Sequence, residues 1–437
     1  MAFYSLARPT DVPPFAEALA LPDSGRLGLV AASGCALAIA SVPIFSTSES
    51  FSIIPQALAV LGAGLAALTL LKGIPRLHVS LLVFGTLVLF WGISLLSDSE
   101  LWIEYQSLLK VCLLAFACHI AFRSRQHLML LFGVYAATGA VTVALNWHQL
   151  QGLGSSMEIS QLSEKDRFAG TFENANTAGI YGVMLILSGL IIGFNGKNRA
   201  RWPLLTIGLL AGLAICFFSG SRKAMLGLGL IIFLIPWMAA SGNVKKGRGV
   251  FKIIFLLFLS VVLGGLLFSQ LPFTDRLLVP FREGVTAESS GATRFAMLVK
   301  VLELWGTHPV LGCGFEGFSR LSGFGVYSHT TFGEVLCNGG LLGLGLISVF
   351  YLVPLVQLWR LAKDPVCPGR SQISTGLLAF WLLFTLFSCF AVMFDSREFV
   401  PIGAAVCGFL QANRSPVSSS RFAPRPKGAP ALRMADS

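Results

Sequence analysis

The sequence predicts an all-α integral membrane protein with about twelve transmembrane helices, both termini cytoplasmic, and a long external loop between helices nine and ten. Three observations carry this reading. Of 437 residues, 54% are hydrophobic and only 12% charged, where a soluble domain carries about a quarter charged; the mean hydropathy is +0.75. Apolar runs of about 20 residues, the length that crosses a hydrocarbon core of about 30 Å, recur along the chain. Lysines and arginines collect in every second connection, as the positive-inside bias requires.

The apolar runs fall at 27–46, 52–72, 78–97, 106–122, 128–147, 177–194, 203–218, 223–240, 251–270, 332–359, 374–394 and 398–412. The seventh and twelfth are short, and the tenth is long enough to tilt or project. Basic clusters sit at Lys72 and Arg76, Arg123 and Arg125, Lys197 to Arg201, Lys245 to Lys252, and Arg360 to Arg370, then in the tail from Arg414. Alternate connections carry acids instead: Glu49; Asp98, Glu100 and Glu104; Asp395 and Glu398 around Arg397. The short-loop exception is Arg222 with Lys223, on an external turn. The net charge of +11 is therefore mostly an orienting property of the cytoplasmic face, and nucleic acid is not an expected partner.

Residues 1–26 read as a cytoplasmic segment without the basic start and apolar core of a signal peptide. Residues 27–412 form the membrane domain. The stretch 413–437, rich in Ser, Pro, Ala and Arg, reads as a disordered cytoplasmic tail. Most of the nine cysteines lie inside apolar runs and no CxxC occurs, which argues against a disulfide framework or a zinc site.

Two external loops are long, 148–176 and 271–331, and long loops on a helical bundle are where function is expected. Within the second, Thr293 to Trp305 has helical periodicity. Phe295, Leu298, Leu302 and Trp305 make one apolar stripe, with Val301 beside it, expected to lie on the membrane or fold back over the bundle.

Candidate chemistry gathers on the external side. Arg167 precedes Gly170-Thr-Phe-Glu-Asn-Ala-Asn176; Ser219-Gly-Ser-Arg-Lys223 makes a tight turn; Arg294 and His329 share the long loop. A guanidinium at the membrane lip suits a phosphate or pyrophosphate, to which it donates two parallel hydrogen bonds. Ordinary roles compete: external arginines snorkel to headgroups, a loop histidine is often merely solvated, and Asn174 and Asn176 are good helix caps as well as sugar ligands. Gly312, Gly314 and Gly317 form a GxGxxG, but no strand precedes them, so turn-making explains them better than a nucleotide fold. His308, directly before Pro309, reads as structural.

At these residues the chain resembles the bacterial O-antigen ligase and O-antigen polymerase superfamily of polytopic glycan transferases. The resemblance rests on Gly170 to Asn176, Ser219-Gly-Ser-Arg-Lys-Ala224, His308-Pro-Val-Leu-Gly-Cys-Gly314, and Ser328-His-Thr-Thr-Phe with Gly339-Gly-Leu-Leu-Gly343. It spans roughly residues 165–345. The family usually shows Asn-Pro-Asn where this chain has Asn174-Ala-Asn176, and His-Asn where it has His329-Thr330.

The resemblance implies a glycosyltransferase of the bacterial inner membrane, its active site facing the periplasm. The donor is a glycan on undecaprenyl pyrophosphate; the acceptor is lipid A-core for a ligase or another glycan for a polymerase. It also implies that Arg222 and Arg294 hold the pyrophosphate, with Arg167 a weaker candidate, and that His329 is catalytic. Lys223, Asn174 and Asn176 have glycan-binding or structural roles. Neither a metal nor another cofactor is expected, since guanidinium groups can stabilise the charge that develops on the leaving phosphate. A neutral imidazole suits a general base for the acceptor hydroxyl, and Glu334, near the start of the tenth run, is either its orienting partner or a simple interfacial acid. The alternatives from other classes are a twelve-helix secondary transporter and a non-catalytic component of a polysaccharide export complex.

Overall fold

Every regular element in the described residues is helical, and none is a strand. The computed structural model describes residues 26–45, 53–72, 75–95, 101–155, 168–172, 174–196, 199–240, 290–364 and 368–413. The expected ninth span, Arg167 and the C-terminal tail lie outside these residues.

The helices are α1 (Arg26–Phe45), α2 (Ile53–Thr69), α3 (Val79–Ser94), α4 (Trp102–Ala121), α5 (Arg125–Leu145), a short α6 (Trp147–Ser155) and α7 (Ala175–Asn195). They continue with α8 (Arg201–Ser219), α9 (Arg222–Ala240), α10 (Ser290–Thr307), a five-residue α11 (Gly317–Leu321), α12 (Thr331–Ala362), α13 (Pro368–Ser388) and α14 (Phe399–Ala412). Eleven of the twelve expected runs thus reappear as helices, their ends displaced by a few residues. Seven of these helices are long and apolar enough to cross a membrane, and α2, α3 and α14 are shorter apolar helices.

Hydrogen bonds sort the connections into two ends. At one, Arg125 Nη2 donates to the Asn195 carbonyl (2.7 Å), His78 pairs with Gln357 (2.9 Å) and Gln372 Nε2 donates to the Phe194 carbonyl. At the other, Phe168 N–H donates to the Phe218 carbonyl (3.1 Å), and Phe315 N–H donates to Ser94 Oγ (3.2 Å). The first set comes from connections expected on the cytoplasmic side, the second from connections expected outside.

α7 is the buried axis, with nearly all its residues enclosed. Small residues let α8 approach it closely: a Cβ on Gly182 would meet the Gly212 carbonyl at 2.8 Å, and one on Gly208 the Leu185 carbonyl at 2.7 Å. Where lipid tails supply little hydrophobic drive, such backbone approach is a main source of helix association.

α12 departs most from expectation. The sequence reads it as one long helix; the structure reverses the chain at Gly340 (φ 60°, ψ −156°). The Phe332 and Tyr351 rings are 5.5 Å apart, whereas 19 residues of straight helix would separate them by about 28 Å. A Cβ on Gly343 would lie 3.2 Å from the Val335 carbonyl. Residues 331–339 therefore fold back as a re-entrant half-helix against the upper part of 341–362. The second half alone is about 33 Å long, enough for the hydrocarbon core.

The stretch 309–314 fills the break. Cys313 and Gly314 N–H donate to the carbonyls of Cys337 (2.8 Å) and Asn338 (3.0 Å), which end the first half-helix. Leu341 and Leu342 N–H, which begin the second, donate to Pro309 (2.9 Å) and Val310 (3.2 Å). One loop thus satisfies orphan groups at two helix ends. Gly312 (φ 71°) makes this possible, since a Cβ there would lie 2.5 Å from the Gly339 and Gly340 nitrogens.

The loop helix α10 forms, with Val301, beside the expected stripe, turned inward. Met297 and Val301 are buried, with Phe318 and Cys337 in one small cluster, while Phe295, Leu298 and Leu302 are exposed. The apolar stripe read from sequence faces mostly outward.

Candidate active site

Reversal of α12 positions His329. The residue sits immediately before the half-helix with φ 61°, one of two non-glycine residues with positive φ among those described. A β-carbon is strained in that region, so the surroundings must hold it. Below it, Thr331 N–H donates to the Ala391 carbonyl (3.1 Å), and Met393 N–H donates to Thr331 Oγ1 (2.9 Å). The connection between α13 and α14 thereby supports the floor of the His329 turn. Above it, Tyr327 packs edge-on against the imidazole at 4.7 Å.

The sequence offers Glu334 either as a residue that orients the imidazole or as a simple interfacial acid. Its carboxylate is committed elsewhere: Oε2 accepts from Ser328 N–H (2.7 Å) and Oε1 from Asn338 Nδ2 (3.0 Å). Asn338 Oδ1 in turn accepts from Phe318 N–H (3.0 Å). Glu334 thus acts on His329 through the adjoining backbone, and Asn338 ties that clamp to the glycine-rich loop. Both are almost fully buried, where a charge-assisted hydrogen bond gains strength and a lost partner costs most.

The cations converge electrostatically. Burial first, then the positive charges of Arg294 and Lys223, hold the His329 imidazole below its ordinary value of 6.5. It is therefore neutral near pH 7, with a lone pair available to accept a proton. Lys223 is buried whereas Arg222 and Arg294 are exposed. Arg222 and Lys223 occupy the first turn of α9, whose approaching corner is set by Gly220 (φ 55°) at the end of α8. Ser221 Oγ accepts from Ala224 N–H at 3.4 Å. A helix N-terminus carrying two cations attracts anions through both its amides and its dipole.

Asn174 behaves as a helix cap: its Oδ1 accepts from Thr177 N–H (2.9 Å) at the start of α7. Asn176 follows in the first turn of that helix. Arg167 is outside the described residues, but its neighbour Phe168 is bonded to Phe218, beside the Ser219 turn.

The family model for O-antigen ligase matches residues 207–348. That match supports membership of the O-antigen ligase superfamily. The ligase-like segment runs from α8 through the reversal of α12 and contains Arg222, Lys223, Arg294, His329, Glu334 and Asn338. Arg167, Asn174 and Asn176 precede it. No curated protein matches the chain. The ligase match supports glycan transfer in polysaccharide assembly, and with the apolar helices it supports a multi-pass membrane protein.

Sequence reasoning missed three features of this region. Asn338 lies inside the tenth apolar run with nothing local to mark it, because its partner Phe318 lies 20 residues earlier. Lys223 was secondary to Arg222, although it is the buried cation beside His329 and Arg294. Glu398 was an acid of an external connection; it is buried and accepts a hydrogen bond from Tyr135 Oη (3.1 Å), deep in α5. An acid at the start of the short twelfth run was the available signal, since buried intramembrane acids are costly and tend to be functional.

Proposed function

We propose that this chain transfers a glycan from an undecaprenyl-pyrophosphate carrier to an acceptor hydroxyl at the periplasmic face of a bacterial inner membrane, through twelve spans with both termini cytoplasmic. The observation that carries the reading is the neutral, conformationally held His329 under the influence of Arg294 and Lys223, within the ligase-like segment.

In this mechanism His329 takes the proton of the acceptor hydroxyl as the oxygen attacks the anomeric carbon of the donor sugar. The bond from that carbon to the pyrophosphate oxygen breaks, and undecaprenyl pyrophosphate leaves with the electron pair. Arg222 and Arg294, with Lys223 between α9 and the loop, stabilise the charge gathering on the leaving group, which is greatest in the transition state. Arg167 is a weaker candidate for the same anion site. Glu334 positions rather than reacts. The re-entrant half-helix gives the reaction a partly dehydrated setting while the carrier's tail remains in lipid.

A ligase passes the glycan to lipid A-core and a polymerase passes it to another lipid-linked glycan. Complementation separates them: restored core attachment in a ligase-deficient strain indicates a ligase, and restored long chains in a polymerase-deficient strain indicate a polymerase. The His329→Ala protein is expected to insert normally and lose transfer by about 10²–10⁴-fold, with a comparable loss for Arg222→Ala. Full transfer by both variants overturns the reading.

A further inference from the structure

The sequence argued against a disulfide framework, yet two of its cysteines meet at the break in α12. Cys313 lies between Gly312 and Gly314 in the inserted loop, and Cys337 three residues before Gly340. Their backbones are joined by the 2.8 Å hydrogen bond from Cys313 N–H to the Cys337 carbonyl, and their thiols are near enough to perturb each other. Both belong to the small cluster with Val301 and Phe318, separate from the main core.

The two thiols differ in access. Cys313 is partly exposed and Cys337 fully buried. His308 Nδ1 is 3.6 Å from Cys313 Sγ, within reach to take its proton. This makes Cys313 the thiol that an external reagent meets first, with Cys337 behind it to resolve the adduct. Among the other described cysteines, Cys35 and Cys118 also neighbour each other, both buried inside the bundle on α1 and α4.

We propose that Cys313 and Cys337 are joined by a disulfide in the mature protein. The inference rests on the external placement of this loop under the proposed function, because that compartment favours disulfides. The oxidant is a protein disulfide of the exchange type. The Cys313 thiolate attacks one of its sulfurs, releasing one thiolate and forming a mixed disulfide. The Cys337 thiolate then attacks Cys313 Sγ, so the second donor sulfur leaves. Two protein thiols are oxidised, one donor disulfide is reduced to a dithiol, and the two thiol protons end on the donor's sulfurs. The closed ring of about 25 residues contains the whole segment from Gly314 to Leu336, including His329 and Glu334, so the bridge restricts the unfolded freedom of the catalytic loop.

The test uses the full chain in intact cells, with thiols trapped by acid and then alkylated under denaturing, non-reducing conditions. Peptide mass spectrometry is expected to find Cys313 and Cys337 unlabelled and cross-linked, two hydrogens lighter than the thiol pair, and labelled only after reduction. Alkylation of both before reduction overturns the proposal. A Cys337→Ser protein treated with a membrane-impermeant maleimide separates the causes. Labelling of Cys313 from outside, with a reduced wild-type pair, rejects the bridge while leaving the loop's placement intact. Failure to label from outside, with labelling after permeabilisation, rejects the placement and the bridge together.

Discussion

Glycine does opposite work in α7–α8 and in α12. Between α7 and α8, Gly182 and Gly208 sit in unbroken helices and remove bulk so that two backbones touch. In α12, Gly340 carries a positive φ against the Val310 carbonyl, and the helix stops and reverses. The first use builds a rigid wall whose backbone groups are all satisfied locally. The second leaves helix ends that need partners from elsewhere in the chain, and those partners deliver the functional loop. Small residues in an apolar run therefore mark either close packing or a break, and the distinction depends on what segment is available to fill the gap.

The strongest challenge to this contrast is Gly340→Ala. The new Cβ meets both the unfavourable φ and the Val310 carbonyl, so transfer is expected to vanish and the 309–314 segment to become accessible to protease. Gly182→Ala in the wall is expected to cost about 1–3 kcal/mol of stability by overpacking, with transfer per folded molecule retained. Equal losses of transfer per folded molecule in the two variants would erase the distinction.

Glu334→Gln probes the clamp within the reversed helix. The amide offers one acceptor and one donor where the carboxylate accepts twice, so about 1.5–3 kcal/mol of charge-assisted hydrogen bonding is at stake. The turnover rate is expected to fall while the acidic limb of the pH profile stays in place, as a backbone-positioning role requires. A moved limb would indicate direct action on the imidazole instead.

Arg294→Ala should move that limb. Arg294 helps hold the His329 imidazole below 6.5, and the base works in its neutral form. Removing the cation raises the folded value, so activity is lost at a higher pH on acidification, and the acidic limb shifts upward toward 6.5. Measurement of kcat/KM from acid to neutral pH reads this directly. The smallest effect belongs to Asn174→Ala: loss of the α7 cap costs about 1 kcal/mol of stability and leaves the transfer rate unchanged. A selective loss of transfer would give Asn174 a glycan-binding role.

The scaffold was more legible than the site. Span boundaries such as 203–218 and 223–240 nearly coincide with Arg201–Ser219 and Arg222–Ala240, because water and lipid impose a length and a polarity that residues declare individually. The reversal in α12 had no comparable signature. Glu334 and Asn338 are isolated polar residues in a run that stays apolar on average through Leu341 and Leu342, so hydropathy does not mark the break, and Gly339-Gly340 resembles any close-packing pair. The inner face of α10, Met297 with Val301, was only partly legible for a related reason: several apolar faces compete on that helix, and the choice depends on Phe318 and Cys337 in other segments. His329 was visible as a residue type in a polar loop, but its positive φ and its indirect link to Glu334 arise only from tertiary contacts.

The broken helix also implies an order of assembly. A segment in lipid must satisfy its own backbone groups, so 331–362 can enter the bilayer only with its hydrogen bonds continuous through Gly340. The carbonyls of Pro309 and Val310 can replace them only after that loop has crossed and returned to the bundle. Site formation is then a docking event that follows insertion, and the chain can be fully threaded through the membrane while still lacking the geometry for chemistry.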